Sequence, residues 1–331
     1  MSSQAIQPAQ YQTVPLASIN LQNDDFRITT REDFDELATS IEHDGLIIPP
    51  TLIKKHPPAY VIISGFRRVN AYQKMGRNEI IARILDSDAD HLDCLRLAIA
   101  ENAFQRQLNL IETSRALQKL SSFFDSQNQL TEAASTLGLP ANHSIIEKIR
   151  DLCLLPRPVQ CSVLNDAISL SMASELGKLD LDSAVAFARL FNQLKLSLSK
   201  QKEILTLVDE IARRENSSVR QVMQDSRLQK IVDDQDLDRT QKGRQIRSFL
   251  RQWRFPRIVK AEKNYQIHHR QLKLGSDIKL VPPKDFEGTT YTLNLNFTNL
   301  AHLTKLRNRL NKLMVHPSLE KIVEGRDTLA G

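Results

Sequence analysis

The sequence predicts an α+β N-terminal domain, an all-α central region and a small α+β C-terminal module. Over the first 85 or so residues, short apolar runs broken by proline and glycine alternate with stretches of helical spacing. From Asp90 onward, apolar residues recur at helical spacing for about 180 residues, and a strand-like alternation appears near residue 291. A chain of 331 residues is long enough for two or three such domains.

Each element of the N-terminal part has its own local signal. Residues 13–19 suit a short strand, and residues 33–44 have the apolar spacing of a helix that Gly45 ends. Four more elements are expected: strands over residues 46–53 and 60–63, a helix over 67–75 and a strand over 80–85. Prolines at 49, 50, 57 and 58 interrupt or flank the first two strands.

Polar stretches near residues 125–130 and 233–243 separate the periodic segments, which is typical of domain boundaries. We therefore predict three parts: an N-terminal domain over residues 1–125, a helical domain over 126–235 and a C-terminal module over 236–331. In the last part, alternating apolar residues predict a half-buried strand, and a helix with leucines on one face follows: Tyr291, Leu293, Leu295 and Phe297 in the strand, and Leu303, Leu306, Leu310 and Leu313 in the helix.

Composition argues against several classes of protein. The sequence has no run of about 18 uncharged apolar residues, and residues 1–11 lack the basic-then-apolar pattern of a secretory signal. We therefore expect a cytoplasmic protein that does not enter a membrane. Cys94, Cys153 and Cys161 are far apart and form no C-x-x-C pair, so we expect reduced thiols in the core.

The net charge of +6 is unevenly distributed. Residues 239–273 carry 11 Lys and Arg against one acidic residue, Glu262, which gives this segment a charge of +10. Residues 1–238 carry 26 basic and 32 acidic residues, or −6. Such a stripe favours contact with a polyanion, because Lys and Arg displace condensed counterions from phosphates; a solvated helix face is the alternative.

The first chemical motif is Ser64-Gly65-Phe66-Arg67-Arg68, placed after an expected strand and at the start of a helix. Glycine lets the chain turn tightly, and the unpaired N–H groups of a helix N-terminus favour phosphate. The two arginines add fork-shaped donors. The motif therefore indicates a phosphate site, with a surface turn as the alternative.

The second motif is Glu101-Asn102, followed on the same long helix by Gln105-Arg106. Oxygen atoms from Glu101 and Asn102 could hold a hard cation beside phosphates. Polar helical residues that simply face water would look the same.

Together, the runs GLIIPP at 45–50, ISGFRR at 63–68 and ENAFQRQLNLIE at 101–112 resemble the three boxes of the ParB N-terminal domain, in order and in spacing. The resemblance covers about residues 13–180. It implies a ParB/sulfiredoxin-like α+β fold. It also implies a pocket for CTP and Mg²⁺, in which the nucleotide closes a dimeric clamp around DNA.

The resemblance implies one set of ligand-binding residues: Gly65, Arg67 and Arg68 at the phosphates, Glu101 and Asn102 beside the metal, Arg106 at the nucleotide, and residues 45–49 near the base. The chain departs from the family at Phe66, where Glu or His is frequent, and at Gln105, where the family has an arginine. Arg106 lies one position further along. Whether the chain is a weak CTPase is left open.

Residues 130–151 have the layout of a helix-turn-helix. A short helix over 131–137 is followed by a turn at Gly138 and by a second helix that would enter the major groove. Residues 155–171 resemble the segment after this motif in ParB proteins, although any antiparallel helix pair could look similar. The exposed face of the second helix would offer Asn142, His143, Ser144, Glu147, Lys148 and Arg150.

Arg244, Arg247, Arg251 and Arg254 recur at i, i+3, i+7 and i+10 in the basic segment, and Pro256 should end their helix. Apolar residues recur on the other side: Ile246, Phe249, Leu250 and Trp253. We expect the helix to bury this side and to hold the four guanidinium groups outward, as nonspecific contacts to DNA phosphates.

The resemblance implies a protein of chromosome or plasmid partition, nucleoid-associated, with double-stranded DNA, a second copy of the chain and a ParA-type ATPase as partners. The alternative is a transcription regulator or DNA-binding adaptor that lacks the nucleotide switch. Enzymes on the same fold are disfavoured. A sulfiredoxin needs cysteine where Phe66 stands, and a nuclease needs a carboxylate cluster, whereas Glu101 is isolated.

Overall fold

The computed structural model describes residues 10–55 and 59–324, and the chain divides into two compact units, Met1–Gln201 and Lys202–Gly331. The predicted boundary near residue 125 lies inside the first unit, so the helical region after it packs with the N-terminal part. The division into three domains stays a prediction.

A five-stranded sheet forms the base of the first unit, with strand order β1-β5-β3-β4-β2. The sheet is mixed: β1 and β5 are antiparallel, β5 and β3 parallel, β3 and β4 antiparallel, and β4 and β2 parallel. Its strands are β1 (Gln10–Pro15), β2 (Ile19–Asn20), β3 (Thr51–Lys55), β4 (Ala59–Ser64) and β5 (Glu79–Leu85).

Helices cover the sheet and continue the first unit. Alternate strand residues such as Val14, Leu52 and Ile62 meet Phe66 and Val69 of the second helix in one buried cluster. The helices are α1 (Asp35–Asp44), α2 (Phe66–Lys74), α3 (His91–Ala103), α4 (Leu110–Ser121), α5 (Gln127–Thr136), α6 (His143–Arg150), α7 (Arg157–Leu164), α8 (Leu170–Leu176) and α9 (Leu181–Leu194), followed by α10 (Leu198–Arg214), in which the unit boundary lies.

The second unit combines helices with a two-stranded antiparallel sheet. Its C-terminal core contains Leu272, Ile278, Leu280, Leu306 and Leu313. The elements are α11 (Val219–Met223), α12 (Ser226–Asp233), α13 (Arg239–Arg254), α14 (Pro256–Leu272), β6 (Ile278–Val281), β7 (Thr292–Leu295), α15 (Leu300–Met314) and α16 (Pro317–Val323). Pro256 ends α13 as predicted, and it is also the first residue of α14.

Several local predictions were wrong in detail. Residues 46–50 are a loop and the strand begins only at Thr51, because Pro49 and Pro50 cannot donate ladder hydrogen bonds. The predicted half-buried strand is short, and Leu293 remains 38% exposed. Pro57 and Pro58 lie outside the described residues.

Of the three cysteines, only Cys94 is buried, so the expectation of three core thiols was wrong; Cys153 is half-buried and Cys161 is exposed. Among the helices of the described residues, none combines the length and the apolar character that a membrane span requires.

Candidate functional site

A cavity of about 300 Å³ opens in the first unit at the N-terminus of α2. Its walls come from five separate stretches of chain, within residues 26–31, 37–41, 45–48, 63–68 and 101–106. The structure brings together at this cavity all the residues that the sequence predicted to bind the nucleotide and metal: Gly65, Arg67, Arg68, Glu101, Asn102 and Arg106.

Gly65 makes the turn from β4 into α2. Its φ of 89° lies in the left-handed region, and a Cβ here would stand 2.8 Å from the Cβ of Pro50. Only glycine therefore lets the loop before β3 approach the start of α2. The first N–H groups of α2 have no acceptor within the helix, which favours an anion in the cavity.

Arg67 and Arg68 each donate to backbone carbonyls of the protein. Arg67 donates from Nε to the Asp33 carbonyl at 2.7 Å, and Arg68 donates from Nη1 to the carbonyls of Ile48 and Pro49 at 2.7 and 2.9 Å. Burial lowers the pKa of Arg68, and the negative charge of Glu101 opposes that shift. A guanidinium has five N–H donors, so these bonds leave donors over for a ligand.

Glu101 and Asn102 lie at the end of α3, across the cavity. Asn102 donates from Nδ2 to the carbonyl of Ala98 in its own helix at 2.8 Å. Glu101 Oε2 is buried and has no hydrogen-bond partner among the described residues. Groups of three or more His, Cys, Asp or Glu side chains that could hold a metal are absent from the same residues. One orphaned carboxylate oxygen fits Mg²⁺ that takes its remaining ligands from phosphates and water.

Arg106 also lines the cavity, but its guanidinium group is engaged by Glu112 of α4. Nη1 lies 2.6 Å from Glu112 Oε2, and Nη2 lies 2.8 Å from Oε1. Glu112 has no solvent exposure and also accepts hydrogen bonds from the backbone N–H groups of Thr30 and Asn109. In the structure Arg106 therefore holds the wall together, and its contact to a nucleotide stays a prediction.

The pKa of Glu112 reflects these partners. Burial alone would raise the pKa of this carboxyl, but the hydrogen bonds from Arg106, Thr30 and Asn109 outweigh burial and lower the pKa to about 2. Glu112 is consequently an anion at neutral pH, with Arg106 as its counterion.

Sequence reasoning missed part of the cavity wall. Phe26, Ile28, Thr29 and Arg31 belong to the segment between β2 and α1, which has no periodic pattern. Glu112 had a local signal, because it completes a capping box with Asn109 at the start of α4. That signal indicates a helix start and does not reveal the partner Arg106.

The predicted helix pair is present as α5 and α6. Gly138 lies in the turn between them with φ 69°. The two helices are in contact, and their buried residues include Leu130, Ala134 and Ile146. The Asn142 side chain caps α6 by accepting from the Ile145 N–H at 3.2 Å.

The residues of α6 that were predicted to contact DNA differ in whether their side chains already have a partner within the protein. Arg150 pairs with Asp151 at 2.9 Å, and His143 lies 3.7 Å from Glu147. Ser144 and Lys148 are exposed, and neither has a hydrogen-bond or ion-pair partner within the part of the chain that the structure describes. These two side chains are the ones best placed to reach a base edge or a phosphate.

Helix α4 connects the cavity wall to α6. Glu112 and Ser114 lie two residues apart on α4, and both are fully buried. Ser114 Oγ donates to the carbonyl of Arg150, the last residue of α6, and accepts from the N–H of Cys153, both at 2.8 Å. One helix therefore carries both the partner of Arg106 and the anchor of α6.

The arginine stripe of α13 was predicted to hold four guanidinium groups outward. Arg251 is exposed as predicted, Arg247 and Arg254 are half-buried, and all three pair with acidic residues, so their contact to DNA stays a prediction. Arg247 lies 2.6 Å from Glu203 of α10, and Arg254 lies 2.8 Å from Glu210 of the same helix. Arg251 makes two 2.6 Å contacts with Glu262 of α14. The fourth member, Arg244, is exposed. The acidic residues of α10 lie far away in sequence, so the spacing of the arginines could not reveal these pairs.

Helix α14 carries exposed cations of the same basic segment. Arg257, Lys260, Lys263 and Arg270 follow helical spacing on one side and are exposed. None of the four has an ion-pair partner among residues 10–55 and 59–324. The freely accessible positive charge of this segment therefore lies mainly on α14.

Comparison with known proteins places these features in a family. Residues 1–103 match the model of the ParB N-terminal domain. Over 184 residues the chain is 30% identical to the probable chromosome-partitioning protein ParB of Treponema pallidum, and this alignment covers 55% of each chain. Residues 1–103 therefore belong to the ParB N-terminal domain family.

Other ParB-type relatives show the same partial coverage. The nucleoid occlusion protein of Listeria monocytogenes is 32% identical over 152 residues, which cover 46% of this chain and 51% of that protein. The chain thus spans about half the length of the curated relatives it matches.

Solved structures of truncated Caulobacter crescentus ParB are also similar. The complex with CTP-γ-S is 25% identical, covers 55% of this chain and 98% of that chain, and has a TM-score of 0.26. The complex with the centromeric parS site is 24% identical, covers 57% and 96%, and has a TM-score of 0.33.

Proposed function

We propose that this ParB-type chain is a DNA-binding protein of chromosome or plasmid partition that binds CTP with Mg²⁺ in the cavity and acts as a CTP-dependent DNA clamp. One observation carries the proposal. The N-terminus of α2, with Gly65, Arg67 and Arg68, shares a cavity with Glu101, whose buried Oε2 has no partner among the described residues.

This pairing suits a triphosphate with a divalent cation. The helix N-terminus and the two guanidinium groups attract the phosphate oxygens. Glu101, with Asn102 beside it, would hold Mg²⁺, which neutralises the charge of the triphosphate when bound. The exposed loop that contains Ile47 and Ile48 lies at the same cavity and is available to the base.

DNA binding is proposed for two separate surfaces. Ser144 and Lys148 of α6 would contact the DNA as part of a helix-turn-helix, with Asn142 fixing the start of the helix and Arg150 its end. The four cations of α14, with Arg244, would contact phosphates without regard to sequence. The free charge on α14 supports this second surface in place of the paired arginines of α13.

The link through α4 supports a nucleotide-dependent clamp. A ligand that displaced Arg106 from Glu112 would leave the buried carboxylate without its counterion, a costly state that a movement of α4 would relieve. Ser114 of the same helix anchors the end of α6, so such a movement would reach the proposed DNA contact. The proposal includes a homodimer, a ParA-type ATPase partner and a location at the nucleoid.

A calorimetric titration with Mg²⁺ and CTP tests the nucleotide site. We expect saturable binding that ATP, GTP and UTP do not reproduce. We expect Arg67→Ala to abolish it and Arg77→Ala, a control on the exposed turn after α2, to leave it unchanged. Absence of binding by the wild type with Mg²⁺ and DNA present would overturn the nucleotide proposal.

A second candidate, a transcription regulator or adaptor without a nucleotide switch, is favoured by a different observation. The guanidinium groups of Arg67, Arg68 and Arg106 all bond to acceptors within the protein. In that case the arginines build the wall, and the titration gives no CTP signal while DNA binding persists.

A further inference from the structure

Ser64 is the last residue of β4 and directly precedes the Gly65 turn. Its side chain is 2% exposed, it lines the cavity, and its Oγ has no hydrogen-bond partner among the described residues. None of the contacts that build the cavity wall uses this hydroxyl.

A buried hydroxyl without a partner is unusual, because most buried polar side-chain atoms are hydrogen-bonded. Ser162 of α7 shows the ordinary arrangement. It is also 2% exposed, but its Oγ lies within hydrogen-bond distance of two carbonyl acceptors, 2.9 Å from that of Pro158 and 3.1 Å from that of Ala188. The two serines are thus equally buried, and they differ in whether the hydroxyl is satisfied.

The same cavity contains a second orphaned oxygen. Among the described residues that line the cavity, Ser64 Oγ and Glu101 Oε2 are the buried side-chain oxygens without a hydrogen-bond partner. Glu101 can accept only a cation or a donor, whereas Ser64 can donate. Glu101 Oε2 therefore lacks a cation or a donor, and the Ser64 hydroxyl lacks an acceptor. An oxyanion bound together with a metal ion would supply both.

We infer that Ser64 is a ligand-binding residue whose hydroxyl donates a hydrogen bond to an anionic phosphate oxygen in the cavity. This inference rests on the proposed function, since it assigns a further contact to the same ligand. The surroundings of Ser64 favour an anion: Gly65 begins the helix N-terminus, and Arg67 and Arg68 follow it in the same cavity wall. A hydrogen bond to a charged acceptor is also stronger than one to a neutral base atom.

The free hydroxyl makes the role of Ser64 separable from folding. In the ligand-free protein, Ser64→Ala removes no internal hydrogen bond, so the melting temperature should stay the same or rise slightly. In the bound protein, it removes one charge-assisted bond. Ser162→Ala is the matched control with the opposite profile, because its hydroxyl has partners and lies away from the cavity.

The test compares wild type, Ser64→Ala and Ser162→Ala by calorimetric titration with two probes, CTP and inorganic triphosphate, each with Mg²⁺. We expect Ser64→Ala to raise Kd about 10-fold for both probes, in line with the loss of a hydrogen bond to a charged group. We expect the melting temperature of the ligand-free variant not to fall. Ser162→Ala should lower the melting temperature and leave both Kd values near those of the wild type.

Each other outcome has its own meaning. Equal affinity of Ser64→Ala and wild type for both probes overturns the contact, and a loss confined to CTP overturns its assignment to phosphate. A melting temperature lowered as much as in Ser162→Ala shows a structural hydroxyl and also overturns it. Binding of inorganic triphosphate alone, with the 10-fold loss, supports Ser64 while contradicting CTP as ligand. A wild type that binds neither probe overturns both proposals.

Discussion

Arg106, in the loop after α3, and Glu112, at the start of α4, form a two-pronged ion pair with N–O distances of 2.6 and 2.8 Å. Glu112 has no solvent exposure, and it also receives the backbone N–H groups of Thr30 and Asn109. The pair thus ties the segment between β2 and α1 to α4. These contacts make Glu112 central to both the stability of the first unit and the shape of the cavity.

Replacing Glu112 with alanine should lower the free energy of unfolding by about 3–5 kcal/mol, the usual range when one partner of a buried ion pair is removed. Urea denaturation measures this directly. Glu147→Ala, on the exposed face of α6, is the control and should change stability by less than about 1 kcal/mol. A similar small effect for Glu112→Ala would mean that the buried pair is not formed.

The pair should also make stability depend on acid pH. The pKa of Glu112 falls from an ordinary 4.5 to about 2 in the folded protein, so its contribution is fully present above pH 4.5 and is lost as the pH falls towards 2. The difference in unfolding free energy between wild type and Glu112→Gln should therefore shrink between about pH 5 and pH 2. Denaturation curves at several pH values test this, and a constant difference would contradict the lowered pKa.

Gly65→Ala should cost more stability than Gly76→Ala, although both glycines have positive φ, 89° and 66°. At Gly65 the added Cβ would lie 2.8 Å from Pro50, whereas at Gly76 it meets no atom within 4 Å. We expect about 1 kcal/mol for Gly76→Ala from backbone strain, and at least twice that at Gly65, together with loss of CTP binding. Thermal unfolding of the two variants measures this difference in stability. An equal loss of stability in both variants would show that Pro50 does not crowd residue 65.

Alanine at the four α14 cations, Arg257, Lys260, Lys263 and Arg270, should weaken DNA binding for every sequence. The slope of log affinity against log salt should become shallower by about 0.9 for each phosphate that the variant no longer neutralises. Alanine at Arg247 and Arg254 of α13 is the matched control. Because those arginines are paired with Glu203 and Glu210, the slope should hardly change. A shallower slope for the α13 variant and an unchanged slope for the α14 variant would show that α13 makes the phosphate contact.

The cavity was predictable where its residues are close in sequence. Gly65 and the following arginines lie at a strand-to-helix turn, and that local pattern alone indicates an anion site. No local pattern reveals the role of Arg106. Its partner Glu112 is recognised only in the folded protein, where α4 packs against residues 29–30. The orphaned hydroxyl of Ser64 is likewise invisible in the sequence, since it depends on the atoms that surround the side chain.

The basic segment shows the same limit. Spacing correctly placed the arginines of α13 along one helix, but it could not reveal that acidic residues of α10 neutralise two of them. Trp253 and Phe249 were expected to be buried and are only half-buried, with the Arg227 guanidinium 4.7 and 5.2 Å from the ring centres. In both cases the partner comes from a distant part of the chain.

A role of this protein in partition is tested most directly by the DNA that it occupies in cells. The bound DNA would be cross-linked, recovered with the full chain and sequenced, with Arg67→Ala in parallel. We expect one sharp peak near a replication origin of the chromosome or of a plasmid. Many separate peaks at promoters would contradict partition and support the regulator.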